Sequence, residues 1–338
     1  MTRRWHVALA PLLIACGSHV EVAPPGPGGH GAGGSGGATV DDGQPRVEAS
    51  QQLDPSSLVF YRDALYWTNR GTNVENEFPY GDGSVMKLSL TDGALTVLAE
   101  GGSPNAMCTD GDWLYWADDD RLRRVAVEGG DVEELGPGQG FAVAVDLFYL
   151  YYGQNGVRRV VQEGGGFDSI VGSEQVDHLR GLAVDDSYVY WTQYGDYDAS
   201  FTGGVYRAPK DGGDAEPLFE GEPRPWGVTV VGDDLYWSRF GPDDATNAGQ
   251  IVRAPKTGGP ITVVAEGQGI VYEIAADDGG AVWGNYPFGP ILELRGDTLV
   301  EIQAMETASD VAISPDRVYW VVPYGDDGGR IMSAPRTP

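Results

Sequence analysis

Histidine is nearly absent from this sequence: 4 in 338 residues, with His6, His19 and His30 ahead of the periodic part and only His178 within it. A His-rich metal site or a histidine acid/base pair therefore has almost nothing to work with. Cysteine is as scarce. Of the 2 cysteines, Cys16 lies near the amino terminus and Cys108 sits alone in an apolar strand, so no disulfide can form within the mature domain. Basic residues are few, 22 Lys and Arg against 50 Asp and Glu, and the formal net charge of -28 would repel a phosphate backbone. Nucleic-acid binding is excluded on that ground. Long apolar runs are missing too: Val7 to Ala15, interrupted by Pro11, is too short to span a bilayer. No nucleophile motif, phosphate-cradling glycine loop or cysteine-rich metal spacing occurs.

What is present begins with an address. Arg3 and Arg4 precede the short apolar run, which reads as a signal-peptide core and hints at twin-arginine as well as general export. Its end, Leu13-Ile14-Ala15-Cys16, resembles a bacterial lipobox, against the alternative of an ordinary secretory signal with an incidental cysteine. The resemblance implies a lipoprotein signal over 1–16 and lipidation of Cys16. With Gly17 and Ser18 next, and no Asp, it implies the outer membrane. Residues 17–44 are dominated by Gly, Pro, Ala and Ser, a flexible tether with an r.m.s. reach of roughly 30 Å.

From residue 45 the chain is periodic. An aromatic pair recurs at Tyr66-Trp67, Tyr115-Trp116, Tyr151-Tyr152, Tyr190-Trp191, Tyr236-Trp237, Val282-Trp283 (Val in place of Tyr) and Tyr319-Trp320. The mean interval, about 42 residues, belongs with four-stranded propeller blades. Each copy runs apolar strand, Gly/Asp turn, aromatic strand, loop, third strand, Gly-Gly turn, fourth strand. The last copy stops after Arg330 to Ala334, and Arg46 to Ser50 stands where a fourth strand is needed. The pattern predicts an all-β fold, one seven-bladed propeller of four-stranded blades over 45–338. Its amino-terminal strand completes the last blade and removes the exposed edges.

Tyr66-Trp67-Thr68-Asn69, Tyr115-Trp116-Ala117-Asp118 and Tyr190-Trp191-Thr192-Gln193 resemble the YWTD repeats of low-density-lipoprotein-receptor-type propellers. Only Asp118 carries the fourth letter of that motif. The segments Arg207 to Gly213 and Arg253 to Gly259 are similar to repeats of uncharacterised bacterial surface lipoproteins. These motifs are structural, so the resemblance implies fold rather than activity.

Candidate functional residues fall in two sets. Eleven residues before the second aromatic of each pair stand Ser56, Asn105, Phe141, Arg180, Trp226, Tyr272 and Ser309, where the innermost strands begin at the channel mouth. Asn105, Phe141, Arg180, Trp226 and Tyr272 are the candidate ligand contacts, since convergent polar groups in an aromatic lining suit small ligands. The second set lies on the non-repeating loops between strands two and three: Tyr80, Asp82, Tyr194, Asp196, Tyr197, Phe240, Asp243, Asp244, Tyr286, Tyr324 and Asp326. Irregular loops on a rigid scaffold are where binding residues concentrate. The acids between strands one and two, such as Asp110, Asp146 and Asp185, read as hairpin chemistry. A calcium-binding ring is conceivable, since hard cations want clustered carboxylates, but no copy has the spacing of a calcium loop.

The expectation is a monomeric, lipid-anchored envelope propeller that binds a protein or glycan through its loop-rich face, without catalysis or a required cofactor. The alternative is a divalent-metal-dependent lyase or lactone hydrolase with a carboxylate-lined site at the central channel.

Overall fold

The computed structural model describes residues 43–72, 81–138, 140–153, 156–176, 178–195, 202–241, 248–325 and 327–336. The signal, Cys16 and nearly all of the tether lie outside them. So do the rim candidates Tyr80, Asp196, Tyr197, Asp243, Asp244 and Asp326.

The described strands form seven four-stranded antiparallel sheets, each pairing its strands in simple meander order. Blade five is typical, with Pro225–Val231 innermost, then Asp234–Arg239, Gly249–Pro255 and Thr262–Gln268. The last blade joins Val311–Ile313, Arg317–Val322 and Gly329–Pro335 to Arg46–Gln52 as its outermost strand. That closing strand runs Arg46 opposite Ser333, Val47 opposite Met332, Ala49 opposite Ile331 and Gln52 opposite Gly329. It extends two residues beyond the segment expected from sequence.

Each aromatic pair divides its residues between neighbours, because successive strand side chains point to opposite faces. Tyr190 of blade four packs with Trp237 of blade five, Tyr236 with Trp283, and Tyr319 with Trp67 across the ring closure. Trp67, Trp191, Trp237, Trp283 and Trp320 are fully buried. The hydrophobic core is thus a ring of inter-blade layers rather than one central mass.

Two repeated polar devices fix this ring. The indole N–H of Trp67 donates to Gln52 Oε1 at 3.0 Å, that of Trp283 to Gln268 Oε1 at 3.0 Å, and that of Trp237 to Glu222 Oε2 at 2.6 Å. The acceptor always comes from the outermost strand, fifteen residues earlier. A bulge turns it inward, with Gln51, Gly221 and Gly267 at φ of 57°, 74° and 69°. The second device is the turn aspartate. Asp185 accepts from Ser187 N and Tyr188 N at 2.8 Å and Tyr190 Oη at 2.9 Å, and pairs with Lys256 Nζ of the next blade at 3.0 Å. Asp146 repeats this with Phe148 N, Tyr149 N, Tyr151 Oη and Lys210 Nζ. In blade six, Asp277 receives Arg336 at 2.6 Å. The Lys of the Lys-x-Gly-Gly turn thus joins blades four and five each to the blade before it.

Burial opposes ionisation of Asp146 and Asp185, but these lysine, N–H and phenol donors outweigh it and hold both carboxyls below their ordinary value. Groups of this kind stabilise the fold above the ordinary carboxylate range, and the benefit is lost as pH falls through the folded-state value. Asp185→Ala is expected to cost about 3 kcal/mol in urea unfolding at neutral pH. The deficit should shrink at pH values below about 4, where wild type loses the same interactions. An equal deficit in acid would refute the assignment.

Candidate functional site

The innermost strands line a channel with a cavity of about 370 Å³ at its mouth. Ser56, Asn105, Phe141, Trp226, Tyr272 and Ser309 all line it, and Arg180 lies beside Phe141 and Trp226. Close packing sets these strands: a side chain on Gly227 would meet the Tyr272 carbonyl at 2.3 Å, and one on Gly181 the Trp226 carbonyl at 2.5 Å.

One flank of the mouth is aromatic. The Arg180 guanidinium lies 4.6 Å from the Trp226 ring centre, 5.5 Å from Tyr194 and 5.8 Å from Phe141. Trp226 stacks on Phe240 at 4.9 Å, and Tyr194 meets both rings edge-on. Tyr272 stands edge-on to Trp226 at 5.3 Å and leans on Tyr286 at 5.3 Å. Tyr286 in turn hydrogen-bonds Tyr324, whose phenol is pushed up to about 12, chiefly by burial and then by this contact. Apart from Asn105 and Asp82, the described candidates from the channel and from the loops therefore form a single arc across blades three to seven. Of the described rim candidates, Asp82 alone stands apart, accepting from Thr72 N at 2.8 Å away from the channel.

The opposite flank is polar. Ser56 Oγ donates to Asn105 Oδ1 at 3.3 Å, and Arg70 pairs with Asp54 at 2.9 Å while lining the cavity. Tyr286 and Tyr324 also line a groove between blades six and seven, beside Phe288, Glu306 and Arg330. Phe288 is 71% exposed and Tyr324 57%, so the groove offers open ring surface continuous with the mouth.

Two carboxylates in the channel wall were not foreseen. Glu273 and Asp310 line the cavity on adjacent blades, surrounded by protein yet facing the lumen. Asp310 Oδ2 accepts from Leu58 N at 2.8 Å and Oδ1 from Val311 N at 2.7 Å, so it ties the last blade to the first. Burial pushes its carboxyl up to about 7 despite these donors. Burial, reinforced by the charge of Asp310, holds the Glu273 carboxyl well above the ordinary range. Two neighbouring carboxyls raised in this way oppose joint ionisation at neutral pH. The signal that finds them is the position after each mouth residue: Ser57, Ala106, Ala142, Gly181 and Gly227 are small, and Glu273 and Asp310 are not.

Among the described residues no group of three His, Cys, Asp or Glu is placed to hold a metal. The carboxylate-lined channel of the alternative reading is present.

No protein-family model matches the sequence, and no curated protein matches it. Solved structures do. An oligogalacturonate lyase in complex with manganese superposes with a TM-score of 0.63 at 13% identity, over 88% of this chain and 94% of the other. The oligogalacturonate lyase of Vibrio parahaemolyticus gives 0.60 at 14%, over 86% and 93%. A puromycin hydrolase S511A mutant complexed with PGG gives 0.57 at 15%, over 80% of this chain but 50% of that one. At such identities the likeness establishes the fold. It also corrects the expectation of a propeller without catalysis. That expectation rested on missing histidines and on binding propellers as the reference, whereas the propellers matched here belong to enzymes. Proton transfer between carboxylates needs no histidine.

Proposed function

We propose that this protein is a lyase-type enzyme that binds an acidic sugar chain along the aromatic arc and cleaves it by proton transfer at the Glu273–Asp310 pair. The observation that carries the reading is that pair, set in a channel wall beneath the arc. Perturbed acids beneath a concave aromatic lining are the physical signature of an acid/base site. Trp226, Tyr272, Tyr286 and Tyr324 supply ring faces and edges for sugar rings, and the groove beside Phe288 lets a chain continue past the mouth. Arg180 and Arg70 place guanidinium groups at the mouth of an otherwise acidic protein, suited to a sugar carboxylate. The superposition on oligogalacturonate lyases is the reason a uronate is named first.

The same proposal keeps the address read from sequence. Cys16 carries the lipid, residues 17–44 the tether, and the YWTD-like domain works at the outer membrane. The test is incubation of the protein with a panel of polyuronates and neutral glycans, following the absorbance of unsaturated uronate ends. Unsaturated product from at least one polyuronate and none from neutral chains is the expected result. Capture without scission across the panel would defeat the proposal.

A further inference from the structure

Two carboxylates on neighbouring blades share the channel wall, yet they are held very differently. Asp310 receives both backbone N–H groups, at 2.8 and 2.7 Å, and hydrogen-bonds the Ser57 hydroxyl. Each of these donors favours its ionised form and fixes the direction of its lone pairs. Glu273 has no hydrogen-bond donor among the described residues, and the adjoining strand of blade five brings only Gly227 against its backbone. A carboxyl in that setting keeps its proton and has nothing but the lumen and Asp310 to give it to.

Resting on the function proposed above, we propose that the two carboxylates have fixed and opposite roles: Asp310 takes the substrate proton and Glu273 gives one to the leaving group. The step balances. The C5–H bond of a uronate breaks and its proton goes to Asp310. The C–H electron pair becomes the C4–C5 double bond. The C4–O bond breaks, and the departing oxygen takes the Glu273 proton. The pair starts as Asp310 carboxylate and Glu273 acid and finishes reversed, with one proton throughout. Proton exchange with the solvent of the lumen, which both carboxyls line, restores the start. The other titratable or charged groups facing the cavity are Arg70, Cys108, Tyr272, Tyr286 and Tyr324. Tyr272 is raised, chiefly by burial, so at neutral pH it does not compete for the base role.

The test compares Glu273→Gln with Asp310→Asn on two substrates. On a natural sugar chain both variants are expected to lose on the order of a hundredfold or more in kcat. On a uronate with a nitrophenolate leaving group at C4, which needs no proton, Glu273→Gln should recover to within roughly tenfold of wild type. Asp310→Asn should remain inactive. The reverse pattern, or recovery of both or neither, overturns the roles.

Infrared spectroscopy at neutral pH tests proton ownership without turnover. The carbonyl band of a protonated carboxyl should be strong in wild type and Asp310→Asn, where burial alone still holds Glu273 neutral, and clearly weaker in Glu273→Gln, where only the partly protonated Asp310 is left. A band that survives in Glu273→Gln and vanishes in Asp310→Asn overturns the assignment. A wild-type protein that cleaves no uronate defeats the function proposed above and the catalytic roles with it. The infrared result still decides which carboxyl owns the proton.

Discussion

Glu222→Gln is expected to destabilise the propeller by about 3 kcal/mol, Arg239→Asn by a similar amount, and the two together by within about 1 kcal/mol. In blade five, Glu222 accepts the Trp237 indole N–H and both Nε and Nη2 of Arg239, at 2.6, 2.6 and 2.7 Å, with its own side chain only 4% exposed. Either single change leaves one buried charge with its counter-charge gone, and such a group costs more than the intact pair was worth. The double change writes in the solution used by blades one and six. There Gln52 and Gln268 take the indole N–H, while Asn69 and Asn285 donate to the same glutamine oxygens at 3.1 and 3.2 Å. Asn69, Asn285 and Arg239 each stand two residues after the Trp. One ring thus contains a neutral and a charged version of a single device, and the exchange converts one into the other. Urea midpoints of the four proteins at neutral pH decide it. Costs that simply add would mean the charged pair contributes nothing as a pair.

The second large effect is on pH. The native carboxyls of Glu273 and Asp310 sit above their ordinary values, Asp310 at about 7. Above about pH 4 the unfolded chain then binds fewer protons than the native one, so stability falls as pH rises. The slope approaches about 1.4 kcal/mol per pH unit for each proton retained, and flattens once the native groups have ionised. Glu273→Gln should therefore leave stability near pH 4 little changed and raise it above pH 7, so that the variant melts higher than wild type in alkali. Below pH 4 the trend reverses, because Asp146 and Asp185 lose their depressed-pKa interactions there. The stability maximum consequently lies on the acid side of neutrality. Thermal melts of both proteins from pH 4 to 9 check this, and parallel curves would contradict a buried proton at Glu273.

The propeller, its closure and its mouth were legible because each is a register effect. Tyr-Trp pairs at a fixed interval set the strand phase, and counting eleven back from Trp237 reaches Trp226 without any three-dimensional information. The turn aspartates were legible only in part. Their bonds to residues two, three and five ahead are local chemistry, whereas the Lys210 partner of Asp146 lies 64 residues away and a blade apart. Glu273 and Asp310 escaped for a related reason. Each looks like one more acid in an acidic chain, and only the ring brings position 273 beside position 310. Counting histidines answered a narrower question than the one asked of it, since it bears on imidazole chemistry and leaves paired carboxylates untouched.

The strand that completes the last blade has a mechanical side. Arg46–Gln52 holds the outermost position of its sheet, hydrogen-bonded along one edge to Gly329–Pro335, and its register is interrupted twice, between Val47 and Ala49 and between Ala49 and Gln52. A pull on the chain where it joins this strand at Gly43 meets the ladder at its Arg46–Ser333 end. Tension across the strand would open the rungs one after another, as a zip, whereas tension along it would strain them all at once. The direction of the pull therefore decides how long the ring stays shut. Any drag on a tethered domain would be felt first at this latch and only afterwards at the channel on the other side of the blade.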